Sequence, residues 1–174
     1  MSNVLIGIIG VILFIGLALA GALFLGPRFQ ESANTSKASA ISSSIAQVAQ
    51  AVEMYRLQEG REAPASTTLT AIVPGYLKTM PSTGGMGTAN WYSLDDDGDP
   101  AGKPTWILLS VVDDGTGRAK SACAAVAKNA GTATAAGLAP ILQKPTGSFG
   151  CYQYDGSWGY AKGLIGNWHF FQRI

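Results

Sequence analysis

Val4 to Leu25 reads VLIGIIGVILFIGLALAGALFL, 22 residues without a charged or strongly polar side chain. At about 1.5 Å of rise per residue such a run makes roughly 33 Å of helix, enough to cross the apolar core of a bilayer. It is apolar around its whole circumference, and a chain of 174 residues is too small to bury it as a soluble core helix. A cleaved secretory signal fits poorly, because Met1-Ser2-Asn3 carries no base and the apolar run is long for one. A plain single-span anchor for a small domain remains open. The expectation is a membrane anchor in the free subunit that serves as a packing rod if subunits polymerise.

Small residues recur inside the run: Gly7, Gly10, Gly16, Ala18, Ala20, Gly21 and Ala22. Gly16 and Ala20 lie four apart on one helical face, as do Ala18 and Ala22, the spacing that lets helix backbones approach closely. A helix that only sits in lipid has no need of this, whereas one that packs on copies of itself does.

Gly26-Pro27 ends the run, and the proline predicts a kink or melted turn there. Helical pattern then resumes. Ile41, Ile45, Val48, Val52 and Tyr55 form one apolar stripe, with Ser42, Ser43, Gln47, Gln50, Glu53 and Arg56 elsewhere around the helix. Gly60 is placed as the residue past its end. The first 59 residues therefore predict one long helix, apolar first and amphipathic later, although Ser32 to Ser44 is a poor helix former.

Arg61 to Lys103 reads as loop, punctuated by Pro64, Pro74, Pro81 and Pro100, with a short helical turn over 69–77 ending before Pro74. Thr105 to Val112 is the strongest strand candidate, apolar enough for burial on both faces, and Asp113-Asp114-Gly115 makes the turn after it. Arg118 to Lys128 reads as a helix with Ala119, Ala122, Cys123 and Val126 on one side, and Gly131 to Gly147 as irregular. A meander closes the chain: strands at Ser148–Tyr154, Ser157–Lys162 and Trp168–Arg173.

Removing the first 27 residues leaves a length that suits one compact domain, so the expected organisation is 1–27 as the assembly helix and 28–174 as the head. Net charge is +1 and the 12 lysines and arginines are scattered, which argues against a nucleic-acid surface. Cys123 and Cys151 are the only cysteines, and an even count in a chain that looks exported favours one disulfide over two buried free thiols.

These features together resemble a type IV pilin: a long N-terminal helix with an apolar first half, a Gly/Pro-rich connection, and a small antiparallel sheet with a C-terminal Cys pair. Tyr76-Leu-Lys-Thr-Met-Pro81 is similar to the turn that follows the helix in pilins and pseudopilins. Ile107 to Asp113 followed by Ser121-Ala-Cys-Ala-Ala-Val126 resembles the strand and Cys-bearing helix of type IVb pilins, a subclass in which Met can begin the mature chain. No leader ending in Gly precedes Met1, as expected if numbering begins at the processed end. One departure stands out. Pilins carry Glu at the fifth mature position, where it pairs with a neighbour's amino terminus, and here the residue is Leu5. Helix packing is then the remaining assembly force.

The resemblance implies an α+β fold, with the long helix packed on a small antiparallel sheet. It implies a structural subunit of an extracellular type IV pilus, a homo-oligomeric helical filament that sits in the inner membrane before the pilus assembly machinery extracts it. The assembly residues would be Gly16, Ala18, Ala20, Ala22 and Pro27. The competing expectation is a minor pilin or a single-span protein carrying an adhesive domain. Adhesion, conjugation, motility and DNA uptake are all compatible.

Candidate chemistry is sparse. Asp95, Asp97 and Asp99 with Gly98 could collect a hard cation. Counting Ser93 as the first position of a calcium loop puts Pro104, not Glu, at the twelfth, so a solvated acidic turn is expected and no metal. His169 is the only histidine, which excludes multi-histidine metal sites, and it is expected to be a strand residue. Trp158, Tyr160, Trp168, Phe170 and Phe171 are expected in the core rather than as a sugar platform. No hydrolase, phosphate-binding, dinucleotide or haem motif occurs, so no enzyme and no cofactor is expected.

Overall fold

The computed structural model describes residues 2–61, 63, 69, 72–83, 85–94, 105–135, 137, 141–142, 147–156 and 165–174. The elements are α1 (Ser2–Glu59), β1 (Ala89–Leu94), β2 (Trp106–Val111), α2 (Arg118–Asn129), β3 (Ile141–Leu142), β4 (Phe149–Tyr154) and β5 (Trp168–Arg173). The chain divides into two units, Met1–Asn34 and Thr35–Ile174. The architecture is α+β, a long N-terminal helix with a small, mainly antiparallel sheet, as the sequence predicts.

Helical backbone continues through Gly26 and Pro27, so the melted turn expected there does not form. A proline inside a helix removes one helical hydrogen bond, its ring crowds the carbonyl four residues back, and its Cδ crowds the amide and Cβ of the residue before it. That residue is Gly26, which has no Cβ, and the helix tolerates the proline. The serine-rich stretch is helical too. Ser42 and Ser44 donate their hydroxyls to the carbonyls of Ala38 and Ala40, at 2.8 and 2.9 Å, so these side chains bond within the helix instead of competing with it. The helix stops where predicted. Gly60 adopts a left-handed φ of 64° and donates its amide to Arg56 O at 3.1 Å, the C-terminal cap that glycine alone makes without strain.

In the second unit the sheet order is β1-β2-β5-β4-β3, antiparallel throughout except that β3 joins the edge of β4 in parallel. Strand alternation sorts its residues onto two faces. Ile107, Leu109, Val111, Trp168, Phe170 and Cys151 pack with the predicted stripe of Ile41, Ile45, Val48, Val52 and Tyr55, and with Ala119, Ala122 and Val126 of α2. Leu94, Trp106, Leu108, Tyr152, Tyr154 and Phe171 form a second buried cluster on the opposite face. β2 is buried at all six positions because it is covered on both faces, which explains its unbroken apolar run.

Several sequence expectations need correction. The segment read as loop from Arg61 to Lys103 contains β1, whose six residues pair with β2 from Ala89↔Val111 to Leu94↔Trp106. The segment read as irregular from Gly131 to Gly147 contains β3. The turn expected to stop before Pro74 runs through it, since the amides of Tyr76 and Leu77 both donate to Ile72 O at 2.9 and 3.0 Å. The closing meander pairs β4 directly with β5, and the strand expected at Ser157–Lys162 lies outside the described residues. Asp113-Asp114-Gly115 and α2 form as expected.

Candidate functional site

In the first unit the apolar run faces outward. Residues 4–24 are exposed, apart from a half-covered Gly21. Phe14, Leu17 and Phe24 expose 75%, 76% and 79% of their surface, far more apolar area than a monomer holds in water. This is the one helix among the described residues long and apolar enough to span a membrane, and it lies near the N-terminus.

The small residues give this surface its shape. A Cβ added at Gly7, Gly10, Gly16 or Gly21 would meet nothing within 4 Å. Each therefore leaves a notch in the helix surface instead of accommodating another part of the chain. At about 100° per residue, Gly16 and Ala20 occupy one side of the helix, and Ala18 and Ala22 lie about 200° away on the other. Two opposed notched faces allow one helix to take close neighbours on both sides. The expected assembly residue Pro27 falls in the helix just beyond, and the first charges are those of Arg28 and Glu31, 3.6 Å apart and both exposed.

The head is tied together at three places. Cys123 and Cys151 form a disulfide with Cα atoms 5.3 Å apart, linking α2 to β4. At the end of α1, Tyr76 Oη donates to Glu59 Oε1 at 2.8 Å, and its ring meets the Tyr55 ring edge-on at 5.3 Å. The hydrogen bond to Glu59 stabilises the protonated phenol and raises the Tyr76 pKa. Beside β2, Asp114 accepts bonds from the Thr116 hydroxyl and amide and from the Arg118 guanidinium, which hold its carboxyl down to about 2.

On the second sheet face His169 is buried. Its ring stacks on Tyr154 at 5.2 Å, Nδ1 lies 3.3 Å from Tyr152 Oη, and Nε2 has no partner among the described residues. Loss of hydration lowers its pKa to about 4, and the same burial raises that of Tyr152. His169 is thus a neutral strand residue, as expected. Trp168, Phe170 and Phe171 are core residues, while Trp158 and Tyr160 lie outside the described residues.

The candidate cation residues Asp95, Asp97 and Asp99 also lie outside the described residues. Ser93, counted as the first position of that loop, is a fully buried residue of β1 whose hydroxyl has no partner among the described residues. Among the described residues no three His, Cys, Asp or Glu side chains gather as a metal site. The clamp of Tyr76 on Glu59 is not legible in the sequence, because its partners lie 17 positions apart with no pattern that brings them together.

Comparison with protein-family models, curated proteins and solved structures finds no match to this chain.

Proposed function

We propose that this chain is a pilin, the structural subunit of an extracellular type IV pilus that polymerises through its N-terminal helix. The observation that carries the proposal is the exposed apolar helix with notched faces on two sides, attached to a disulfide-bonded α+β head. Before assembly, Val4–Leu25 holds the subunit in the inner membrane. In the filament it forms a dry centre. Lipid and protein interior are both apolar, so the transfer itself gains little, and close packing at Gly16, Ala18, Ala20 and Ala22 supplies the attraction. Two notched faces suit a polymer, in which every helix has neighbours on both sides. A lone span carrying an adhesive domain has no use for them. Leu5 leaves the run without a carboxylate, so shape rather than charge selects the neighbour in this segment. The proposal assigns the chain no catalysis, cofactor or nucleic acid.

The test is Gly16→Leu, with membrane-inserted subunit and sheared surface filaments measured separately in cells carrying the pilus assembly machinery. Leucine is at least as apolar as glycine and a Cβ at this position meets nothing within 4 Å, so insertion is expected to stay intact. Filament yield is expected to fall steeply because helices are held apart. Normal yield with normal insertion refutes the packing account. Wild-type subunits that insert but never polymerise favour the minor-pilin or anchored-adhesin alternative.

A further inference from the structure

Lys37 is the only lysine or arginine among the described residues that is not exposed. It lies against a cavity of about 320 Å³ walled by Ser36, Ala40 and Ile41 of α1 and by Ser82 and Thr83. No hydrogen bond or ion pair reaches its ammonium among the described residues. Lys37 is half-buried, shares the concavity with the hydroxyl-bearing Ser36, Ser82 and Thr83, and has no counter-ion among the described residues. The concavity has room for an anionic side chain beside the lysine.

The same head presents a matching group elsewhere. Asp113 is exposed at the turn after β2, and one of its carboxylate oxygens is fixed by the Gly115 amide at 3.1 Å. Its neighbour Asp114 is already paired with Arg118, and Glu31, Glu53 and Glu59 each face an arginine. Asp113 has no cation among the described residues. The turn is exposed and held by this hydrogen bond, and the Lys37 site is concave.

We propose that the Asp113 turn of one copy docks in the Lys37 cavity of a second copy. The contact joins two different patches of the same chain and is therefore heterologous, the type that propagates into an open helix rather than closing a dimer. It rests on the pilin proposal and supplies what the apolar helix lacks, a charge-specified fit between heads.

Three full-length variants test it: Lys37→Asp, Asp113→Lys and the double exchange. Inserted subunit, head melting midpoint and sheared filaments are measured for each. Either single change places like charges together and is expected to lower filament yield about tenfold, with insertion unchanged. The double exchange is expected to restore yield to within about twofold. Carbodiimide treatment of wild-type filaments gives a readout that needs no variant, and a Lys37–Asp113 isopeptide between copies is expected. Unaltered yield in both single variants, a double variant no better than the singles, or cross-links from Lys37 only to other carboxylates overturns the proposal while leaving the pilin proposal standing. Absence of wild-type filaments overturns both.

Discussion

Acidification should weaken the head through one residue, His169. Its imidazole is 1% exposed, stacks on Tyr154 and leaves Nε2 without a partner among the described residues, so a proton added there is a charge buried with no acceptor among them. Burial lowers its pKa from 6.5 to about 4. Between those values the unfolded chain binds the proton and the folded chain does not, so stability falls as pH falls from about 6.5 to about 4 and levels off below. A difference of about 2.5 units at about 1.4 kcal/mol per unit gives a loss of about 3 kcal/mol. Carboxylates titrate in the same window, and a difference measurement against His169→Phe removes their contribution. Phenylalanine costs Tyr152 its Nδ1 neighbour, but that change does not depend on pH between 4 and 6.5. The assay is denaturant unfolding of the detergent-solubilised full chain, followed by tryptophan fluorescence at intervals from pH 7 to pH 4. The variant is expected to lose stability more slowly with acid, by about 1.4 kcal/mol per pH unit near pH 5. Identical slopes for the two proteins refute the argument.

Val48 is fully buried in the stripe that docks α1 on the sheet, and Val48→Asp is expected to cost on the order of 3 kcal/mol by burying an unpaired charge; an unchanged melting midpoint rules the docking out. Reducing Cys123–Cys151 opens a loop spanning 28 residues and is expected to cost roughly 3–4 kcal/mol on the chain-entropy account, read as a lower denaturation midpoint with reductant present.

Local signals dominate what was legible. The stripe from Ile41 to Tyr55 and Gly60 beyond it fix the helix and its end, because period and cap lie within a few turns. β2 is an apolar run with clear limits, β5 is marked by its aromatic residues, and α2 declares itself by the side on which its alanines fall. β1 is hidden because Asn90 and Ser93 interrupt its apolar residues and it lies between glycines and an acidic run. Its strand state comes from pairing with β2, which begins 12 positions after β1 ends, and no local pattern carries that information. The single helix through Gly26-Pro27 is legible in the sequence, but a melted turn does not follow from the proline, because one missing hydrogen bond does not end a helix that continues on both sides. The notched faces of the apolar run were legible because helical spacing alone sets them. The Lys37 cavity was not, since Ser82 and Thr83 reach it from far along the chain.

The disulfide also sets how the head can respond to traction. A pull transmitted along the backbone from α1 toward β5 passes from Cys123 to Cys151 through sulfur rather than through the intervening chain. The 28-residue span between them, which includes the end of α2 and all of β3, is bypassed by the force. At about 3.4 Å per residue, some 95 Å of contour length stays hidden while the bond is intact. A head that yields under tension therefore extends in a shorter step when oxidised than when reduced, and the withheld length is set by the two cysteine positions alone.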